Sequence, residues 1–506
     1  MYCLMAAHVY IDLWKETGDE GVLWRCLGLL EEGLANSPSN AQFKLLLILL
    51  FCGLAAFEPV VDLYCSLNAK HVQHDTIGFL LTRYAESLGH FAAASQSCNF
   101  SLRFFHSNQK DTSEYIIQAY KYGAFEKIPE FNAFRNRLNR SLHFAQVRTE
   151  RMLLDLFTEA DVSSTLEDNV RSMGLCPEEE DILWADMRDN RDLSVFTCWD
   201  PQTQLSEEQR RQSLEEESLW LRVRSLTLRL IGSLAMLGPA PAPRNSEKAA
   251  ENGVAAKPDT LRPLLAQLEV ALKDAAQFTE RGIQYPLLGP PSTRLGPALS
   301  SGCCQCQASA FQLSAHLQEL DSASLDGTSE IQTQIENSFK SLIAQLQVMF
   351  SKCKGDLLEA NGSHCKTQPS LLENLVFFVE TVCIVLWVSS YCAKVLRPLK
   401  SSLQKKKKKK KEINTATPVV FSRYQEYASS LQTLLSQVLH HIKGLETSLI
   451  ALKFGDLSLG GQALSEEEDG FIKTAMDKVQ SSYLRSLQEV GDLLRKRADA
   501  MRNLRI

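Results

Sequence analysis

Three thiols within four residues, Cys303, Cys304 and Cys306, form the densest reactive group in the chain. A zinc site needs paired Cys or His at turn spacing with a second pair elsewhere. Cys353 and the neighbours His364 and Cys365 offer that second pair only at irregular spacing, so no metal site is expected. The fourteen cysteines are otherwise scattered through helical patterns, as free thiols of a reducing, intracellular compartment. The ten histidines do not pair with a nucleophile. His71 and His74 fall between repeats. His440 and His441 are adjacent on a helix and point about a quarter-turn apart, whereas helical ligands share a face at i and i+4. There is no Gly-rich phosphate loop and no Gly-x-Ser-x-Gly elbow. The Asn-x-Ser triplets at Asn99, Asn139 and Asn361 carry no meaning in a cytosolic chain.

The remaining chemistry is electrostatic. Lys405, Lys406, Lys407, Lys408, Lys409, Lys410 and Lys411 follow one another without interruption. Such a run repels itself and is expected as a solvated loop within a basic low-complexity segment, 401–418. Its functional counterpart is a tether to phosphate, in ribosomal RNA or an anionic lipid surface. No aromatic residues are interleaved, so base reading is not expected. The whole chain carries a net charge of −6, which argues against a general nucleic-acid binder.

The elements that position these residues are helices. The chain has 506 residues, 44% apolar and 23% charged, enough for several domains or one long solenoid. Between Ala7 and Leu142 a small residue and a bulky apolar residue recur every 34 positions: Gly21 and Leu23, Ala55 and Phe57, Gly89 and Phe91, Gly123 and Phe125. Leu13, Leu47, Leu81 and Tyr115 fall at one register and Cys26, Val60, Ala94 and Ile128 at another. This period marks tetratricopeptide-like repeats. The small residue lets the chain turn closely, the bulky one packs the second helix on the first, and the pairs stack because none can bury its apolar face alone. Four degenerate helical repeats are therefore expected over 7–142. No signal peptide precedes them. Met1 stands directly ahead of the first apolar stripe without a polar capping helix, as in a fragment or shortened isoform.

A helical extension is expected over 143–237. Within it Asp161 to Asp200 is acidic and aromatic, a solvated connector rather than a surface for a basic partner. Ser206 caps a long helix with Glu207 and Glu208 in its first turn. A flexible linker follows at 238–260. A C-terminal helical region, 261–400, contains a Pro-rich loop at 282–307. Leu375 to Ala393 is nineteen residues long and apolar, just enough to cross a bilayer. Glu380, Ser389, Ser390 and Tyr391 inside it favour a helix buried at the centre of the solenoid. Two amphipathic helices occupy 419–506. The fold class is all-α: a tetratricopeptide-like helical-hairpin solenoid followed by further stacked helices.

The run from Tyr84 through Phe157 (beginning YAESLGHFAAASQSCNFSLRFF) and the ending from Glu466 to Ile506 (EEEDGFIKTAMDKVQSSYLRSLQEVGDLLRKRADAMRNLRI) resemble the large auxiliary subunit of the NatB N-terminal acetyltransferase, in its middle and C-terminal part. That resemblance implies a non-catalytic scaffold. It would bind and activate a small GNAT-fold catalytic subunit that acetylates chains beginning Met-Asp, Met-Glu, Met-Asn or Met-Gln. It would also assist ribosome association, in the cytoplasm. It implies no cofactor of its own, since acetyl-CoA belongs to the partner. GNAT enzymes hold acetyl-CoA at Arg/Gln-x-x-Gly-x-Gly/Ala. The starts at Arg25, Arg171, Arg229 and Gln488 fail to complete it, because Leu30, Cys176, Leu234 and Leu493 take the last position. The chain is therefore not expected to be the enzyme. The alternative is a membrane-anchored helical-repeat adaptor using 375–393 as its anchor.

Overall fold

The computed structural model describes residues 2–160, 165–196, 205–237, 260–320, 330–361, 364–410, 419–452 and 466–506. The expected linker at 238–260 falls almost wholly outside them, as does Trp199.

Three helical hairpins open the chain. Helix α1 (Tyr2–Thr17) pairs with α2 (Glu20–Asn36), and α3 (Ala41–Gly53) with α4 (Glu58–Leu67). After a single turn, α5 (Gln73–Thr76), helix α6 (Phe79–Ala85) pairs with α7 (Phe91–Lys121). Local chemistry sets the starts: the Asp19 and Asn40 carboxylate and amide oxygens accept from the backbone N–H of Gly21 and Gln42, satisfying donors that the first helical turn leaves open. The small residues of the 34-residue pattern mark the turns. Ala55, Gly89 and Gly123 all adopt left-handed φ, at 59°, 79° and 73°. In the first window the left-handed position is instead Gly18, φ 67°, and Gly21 lies inside α2.

The third and fourth windows differ from the expected hairpins. Helix α7 runs unbroken for 31 residues, so the second helix of the third window and the first helix of the fourth are one rod. No Gly or Pro interrupts Phe91–Lys121 to divide them, and the Ser107 and Ser113 hydroxyls donate back into the helix, to the Arg103 and Gln109 carbonyls. Helix α8 (Lys127–Asn139) folds back along the distal half of α7, and α9 (Leu142–Glu159), capped by Ser141, packs on the same rod.

The middle of the chain wraps around one apolar helix. Helix α10 (Thr165–Ser172) leads through a 3-10 turn at Trp184–Asp186 to α11 (Glu207–Met236). Ser206 and Gln209 close a reciprocal capping box at its start. Helix α12 (Leu261–Thr279) packs on α11. The Pro-rich loop is shorter than expected: α13 (Leu295–Ser301) and α14 (Cys303–Gln318) begin inside 282–307. Pro297 sits in the first turn of α13, where its missing N–H has no intrahelical partner to lose. Helix α15 (Glu330–Ser351) is followed by a two-stranded antiparallel hairpin, β1 (Leu358–Asn361) and β2 (His364–Thr367). These strands are too short to show alternation in the sequence.

Helix α16 runs from Pro369 to Lys410, so the backbone stays helical through most of the lysine run, where a loop was expected. Its most apolar window is 89% buried. Helices α14 and α15 cover one side of it, and α17 (Val419–Ala451) and α18 (Glu466–Ala500) the other. Its length and hydropathy are those of a membrane span, and here that apolar surface is the centre of the core.

Helix α18 returns to the beginning of the chain and lies across α2 and α4. Its polar stripe reads the turns of the hairpins. The Tyr483 hydroxyl donates to the Leu54 carbonyl and the Ser486 hydroxyl to the Leu88 carbonyl. The Ser482 hydroxyl accepts from the Glu58 N–H at 3.1 Å, and the Glu489 carboxylate accepts from the Ala92 N–H at 3.0 Å. Each contact satisfies a backbone group that a helix end leaves open. The stack is thereby clasped by its own last helix.

Candidate functional site

A small set of charged side chains gathers deep in the protein. Glu380, the one acid in the apolar run of α16, is 2% exposed and shared by two arginines: Arg224 of α11 at 2.7 Å and Arg294, just ahead of α13, at 2.9 Å. Arg224 also holds Glu150 at 2.6 Å and Glu86 at 3.1 Å. Arg294 lies 4.4 Å from the centre of the Phe377 ring, a favourable place for a desolvated guanidinium. Burial works to raise the Glu380 carboxyl, but Arg224 and then Arg294 outweigh it and hold it below the usual carboxylate range. Burial, with Glu150 beside it, pushes Glu86 well above that range. These five ionisable groups form an ionic knot that joins the end of α6 to α9, α11 and α16, beside a cavity lined by Glu86, Glu150, Trp220 and Arg294. Arg224 alone reaches acids from three distant parts of the chain, Glu86, Glu150 and Glu380.

The cysteine group is closed off from solvent. Cys303, Cys304, Cys306 and Cys353 are buried, and burial pushes the Cys306 and Cys353 thiols up to about 12, which makes them inert. The Cys303 sulfur accepts from Thr381 of α16 at 3.3 Å. Among the described residues no group of three or more His, Cys, Asp or Glu side chains has the geometry to hold a metal. The His441 ring meets the Cys353 carbonyl at 3.0 Å, and His74 packs against Phe104 with centroids 5.8 Å apart. The incomplete acetyl-CoA patterns fall within helices or at a helix end: Arg25–Gly28 in α2, Arg229–Gly232 in α11, Gln488–Gly491 in α18 and Arg171–Gly174 at the end of α10. None follows a strand, the setting in which such a loop exposes its amides.

The acidic segment is largely paired within the chain. Glu180 holds Arg229 at 2.9 Å, Asp181 holds Arg148 at 2.6 Å, and the Arg222 guanidinium sits 5.7 Å from the Trp184 ring centre. The side chains of Lys405 to Lys410, and all of Lys411, lie outside the described residues.

The repeat residues divide into two groups. Leu23, Phe57 and Phe91 are buried, as are Leu47 and Leu81. Leu13, Tyr115 and Phe125 are exposed. The exposed aromatics of the fourth window lie on the hairpin of distal α7 and α8. Tyr122 is 85% exposed, Tyr120 70%, Phe125 56% and Tyr115 52%. Tyr120 and Phe125 meet edge to face at 5.6 Å, and Tyr115 stacks on Phe131 at 5.9 Å. Ile117 and Phe100 extend the exposed apolar surface along the rod. Aromatic residues left in water in such a group mark an interaction surface. Periodicity assigned Tyr115 and Phe125 to repeat packing. The signal against that was the composition of the window, tyrosines among polar residues with no leucine stripe between Glu114 and Lys127.

Known proteins share this chain's pattern. Residues 1–193 match the model of the N-acetyltransferase B complex (NatB) non-catalytic subunit, and residues 197–499 the Psidin-like C-terminal domain. The NatB auxiliary subunit named N-alpha-acetyltransferase 25 in Homo sapiens is 64% identical over 506 residues, 100% of this chain and 52% of the relative. The phagocyte signaling-impaired protein of Aedes aegypti is 37% identical over 241 residues, 47% of this chain and 25% of the relative. The chain thus spans about half the length of the curated relatives it matches. Among solved structures, a NatB acetyltransferase complex bound to a bisubstrate inhibitor aligns with a TM-score of 0.51 at 13% identity, over 92% of this chain and 50% of that one. At that identity the likeness concerns the helical fold.

Proposed function

The chain belongs to the family of non-catalytic subunits of the N-acetyltransferase B complex, and from that premise we propose that it is a scaffold for a GNAT-fold catalytic subunit. In this reading it binds and activates that subunit for co-translational acetylation of chains beginning Met-Asp, Met-Glu, Met-Asn or Met-Gln, in the cytoplasm. Acetyl-CoA belongs to the partner, and this chain contributes surface rather than chemistry. The observation that carries the reading is the exposed aromatic hairpin around Tyr120, Tyr122 and Phe125, a cluster of rigid anchors of the kind that dominates protein interfaces. The face of α2 and α4 is taken by α18, which leaves the distal α7–α8 hairpin as the better partner surface.

The test is co-purification of the chain with the catalytic subunit, followed by acetyl transfer to a Met-Asp peptide. Co-elution with raised activity is expected, and its loss in Tyr120→Asp/Phe125→Asp with helix content unchanged. A folded chain that neither retains the subunit nor raises its activity would overturn the scaffold reading. Retention by the double variant would move the contact elsewhere.

The lysine run supports a second contact in the same reading, to ribosomal RNA. Replacing Lys405 to Lys411 by Gly and Ser is expected to weaken ribosome co-sedimentation and flatten its dependence on salt. An unchanged salt dependence would count against this contact.

A further inference from the structure

Residues 177–187 cross the seam between α9 and α11 as a strap, over a cavity of about 100 Å³. The strap is fastened at its two ends. The Arg229 Nε donates to the Pro177 carbonyl at 3.0 Å. At the other end the Arg188 N–H donates to the Arg140 carbonyl at 2.8 Å, and the Arg188 carbonyl accepts from the Leu142 N–H at 2.9 Å. Between these fastenings no side chain is buried, and Leu183 is 62% exposed. Charge holds the span instead: Glu180 to Arg229 at 2.9 Å, Asp181 to Arg148 at 2.6 Å and Asp186 to Arg140 at 3.4 Å. The Trp184 ring adds a contact to the Arg222 guanidinium, 5.7 Å from its centre. Ion pairs this open to solvent hold weakly and are screened by salt.

The lining of the cavity is divided by charge. Its acids, Glu179, Glu180 and Asp181, all belong to the strap. The part supplied by α9, α11 and the turn ahead of α9 has Arg140, Arg148 and Arg229 and no acid, beside the apolar Phe144, Met152 and Leu228. Asp181 meets Arg148 and Asp186 meets Arg140, so the strap runs antiparallel to α9 with its acids matched to the arginines in order. A solvated connector needs no such division or order. A seat for an acidic chain needs both, and arginine forks are the groups that read carboxylates. The structure thus shows what fills the seam: a short acidic segment carrying an aromatic residue. Phe144 is the one aromatic ring in the lining, too few to stack the successive bases of a nucleic acid.

We propose that the seam between α9 and α11 is a docking site for a short acidic segment of a partner protein, and that residues 177–187 are its internal occupant, displaced when the partner binds. The internal copy sets the selectivity. Apparent affinity is reduced by the fraction of time the seam stands open, so a segment must match several arginines at once to compete.

The experiment uses the full chain and a fluorescein-labelled peptide of the strap's own sequence, PEEEDILWADMR, read by fluorescence anisotropy. Its control is the same peptide with every Glu and Asp replaced by Gln and Asn. Glu180→Gln/Asp181→Asn/Asp186→Asn removes the three ion pairs and keeps the length of the strap. This variant is expected to bind the acidic peptide about tenfold or more tightly than the parent, as the open fraction rises, and to lose that binding as salt is raised. Arg140→Glu/Arg148→Glu also frees the strap but is expected not to bind. Circular dichroism establishes that each variant is folded. Hydrogen exchange on the parent needs no variant: saturating unlabelled peptide is expected to speed exchange of the 178–187 amides and to leave the core of α9 and α11 unchanged. The test uses no catalytic subunit, so it stands or falls apart from the scaffold reading. Affinity unchanged in the folded triple variant, equal binding of the neutral peptide, equal binding by Arg140→Glu/Arg148→Glu, unchanged exchange over 178–187, or binding of oligouridylate in place of the peptide would each overturn the proposal.

Discussion

The second and third 34-residue windows and the fourth share one register and have opposite fates. In the former, Leu47, Phe57, Leu81 and Phe91 are buried, and α18 lies over the turns that follow α3 and α6. In the fourth, Tyr115 and Phe125 occupy the same positions and face solvent, although Gly123 makes the same left-handed turn as Gly89. The period thus encodes where the chain turns. Whether the bulky residue after a turn is buried depends on a covering element, and that element comes from the far end of the chain. Where no described element covers it, the same register displays a surface.

The largest effect expected from this contrast is in stability. Phe57→Ala removes a fully buried ring and is expected to cost about 3–5 kcal/mol, read as a shift of the denaturation midpoint. Phe125→Ala, at the equivalent position, is expected within about 0.5 kcal/mol of the parent. Equal shifts would mean that the two windows are packed alike.

Acid probes the clasp itself. His90 lies between Phe57, at a centroid distance of 5.6 Å, and the Ser482 hydroxyl, at 3.2 Å. Burial, and behind it the charge of Arg485 on α18, pushes the ring down to about 4 from its ordinary 6.5. Between those values the unfolded chain holds a proton on this ring that the folded chain does not. Its contribution is therefore full above about pH 6.5 and is lost as the pH falls toward 4, about 3 kcal/mol in all. In His90→Asn the difference in stability from the parent should shrink across that window. A difference that stays constant with pH would show that His90 is not held neutral by the clasp.

The turn glycines sharpen the same comparison. A Cβ at Gly89 would stand 2.6 Å from the Ser486 hydroxyl oxygen and 2.8 Å from Val490 Cγ2, whereas one at Gly123 meets nothing within 4 Å. Both substitutions to Ala strain a left-handed backbone, by roughly 1–2 kcal/mol. Gly89→Ala must also displace α18, which adds about 1–3 kcal/mol. The gap between the two variants measures the close approach of α18 directly.

These contrasts show which features were legible in the sequence. Three of the four turns were, at Ala55, Gly89 and Gly123, because a small residue there is a local requirement of the backbone, while the first turn falls at Gly18 rather than Gly21. The cap at Ser206 was for the same reason, and the apolar run of α16 was legible as a core helix because Glu380 is hard to place in lipid. What was not legible depends on distant partners. Nothing near Glu380 names Arg224 or Arg294, which lie 156 and 86 positions away. The return of α18 to the first hairpins likewise rests on hydroxyls such as Tyr483 and Ser486, which read as ordinary members of an amphipathic helix. The exposure of the aromatic hairpin was not legible, because periodicity reports spacing and is blind to what covers a face.

The smallest expected effect on stability belongs to the most exposed residue of that hairpin. Tyr122→Ser removes a ring that is 85% in solvent and has no ring partner among the stacked pairs beside it. Its truncation leaves no cavity and strands no buried polar group, so the unfolding midpoint should stay within about 0.5 kcal/mol of the parent. Retention of the catalytic subunit should nevertheless fall, because an aromatic anchor at an interface counts for more than it does in water. A loss of stability without a loss of retention would reverse the assignment and make Tyr122 part of the fold, covered by a segment of the chain itself.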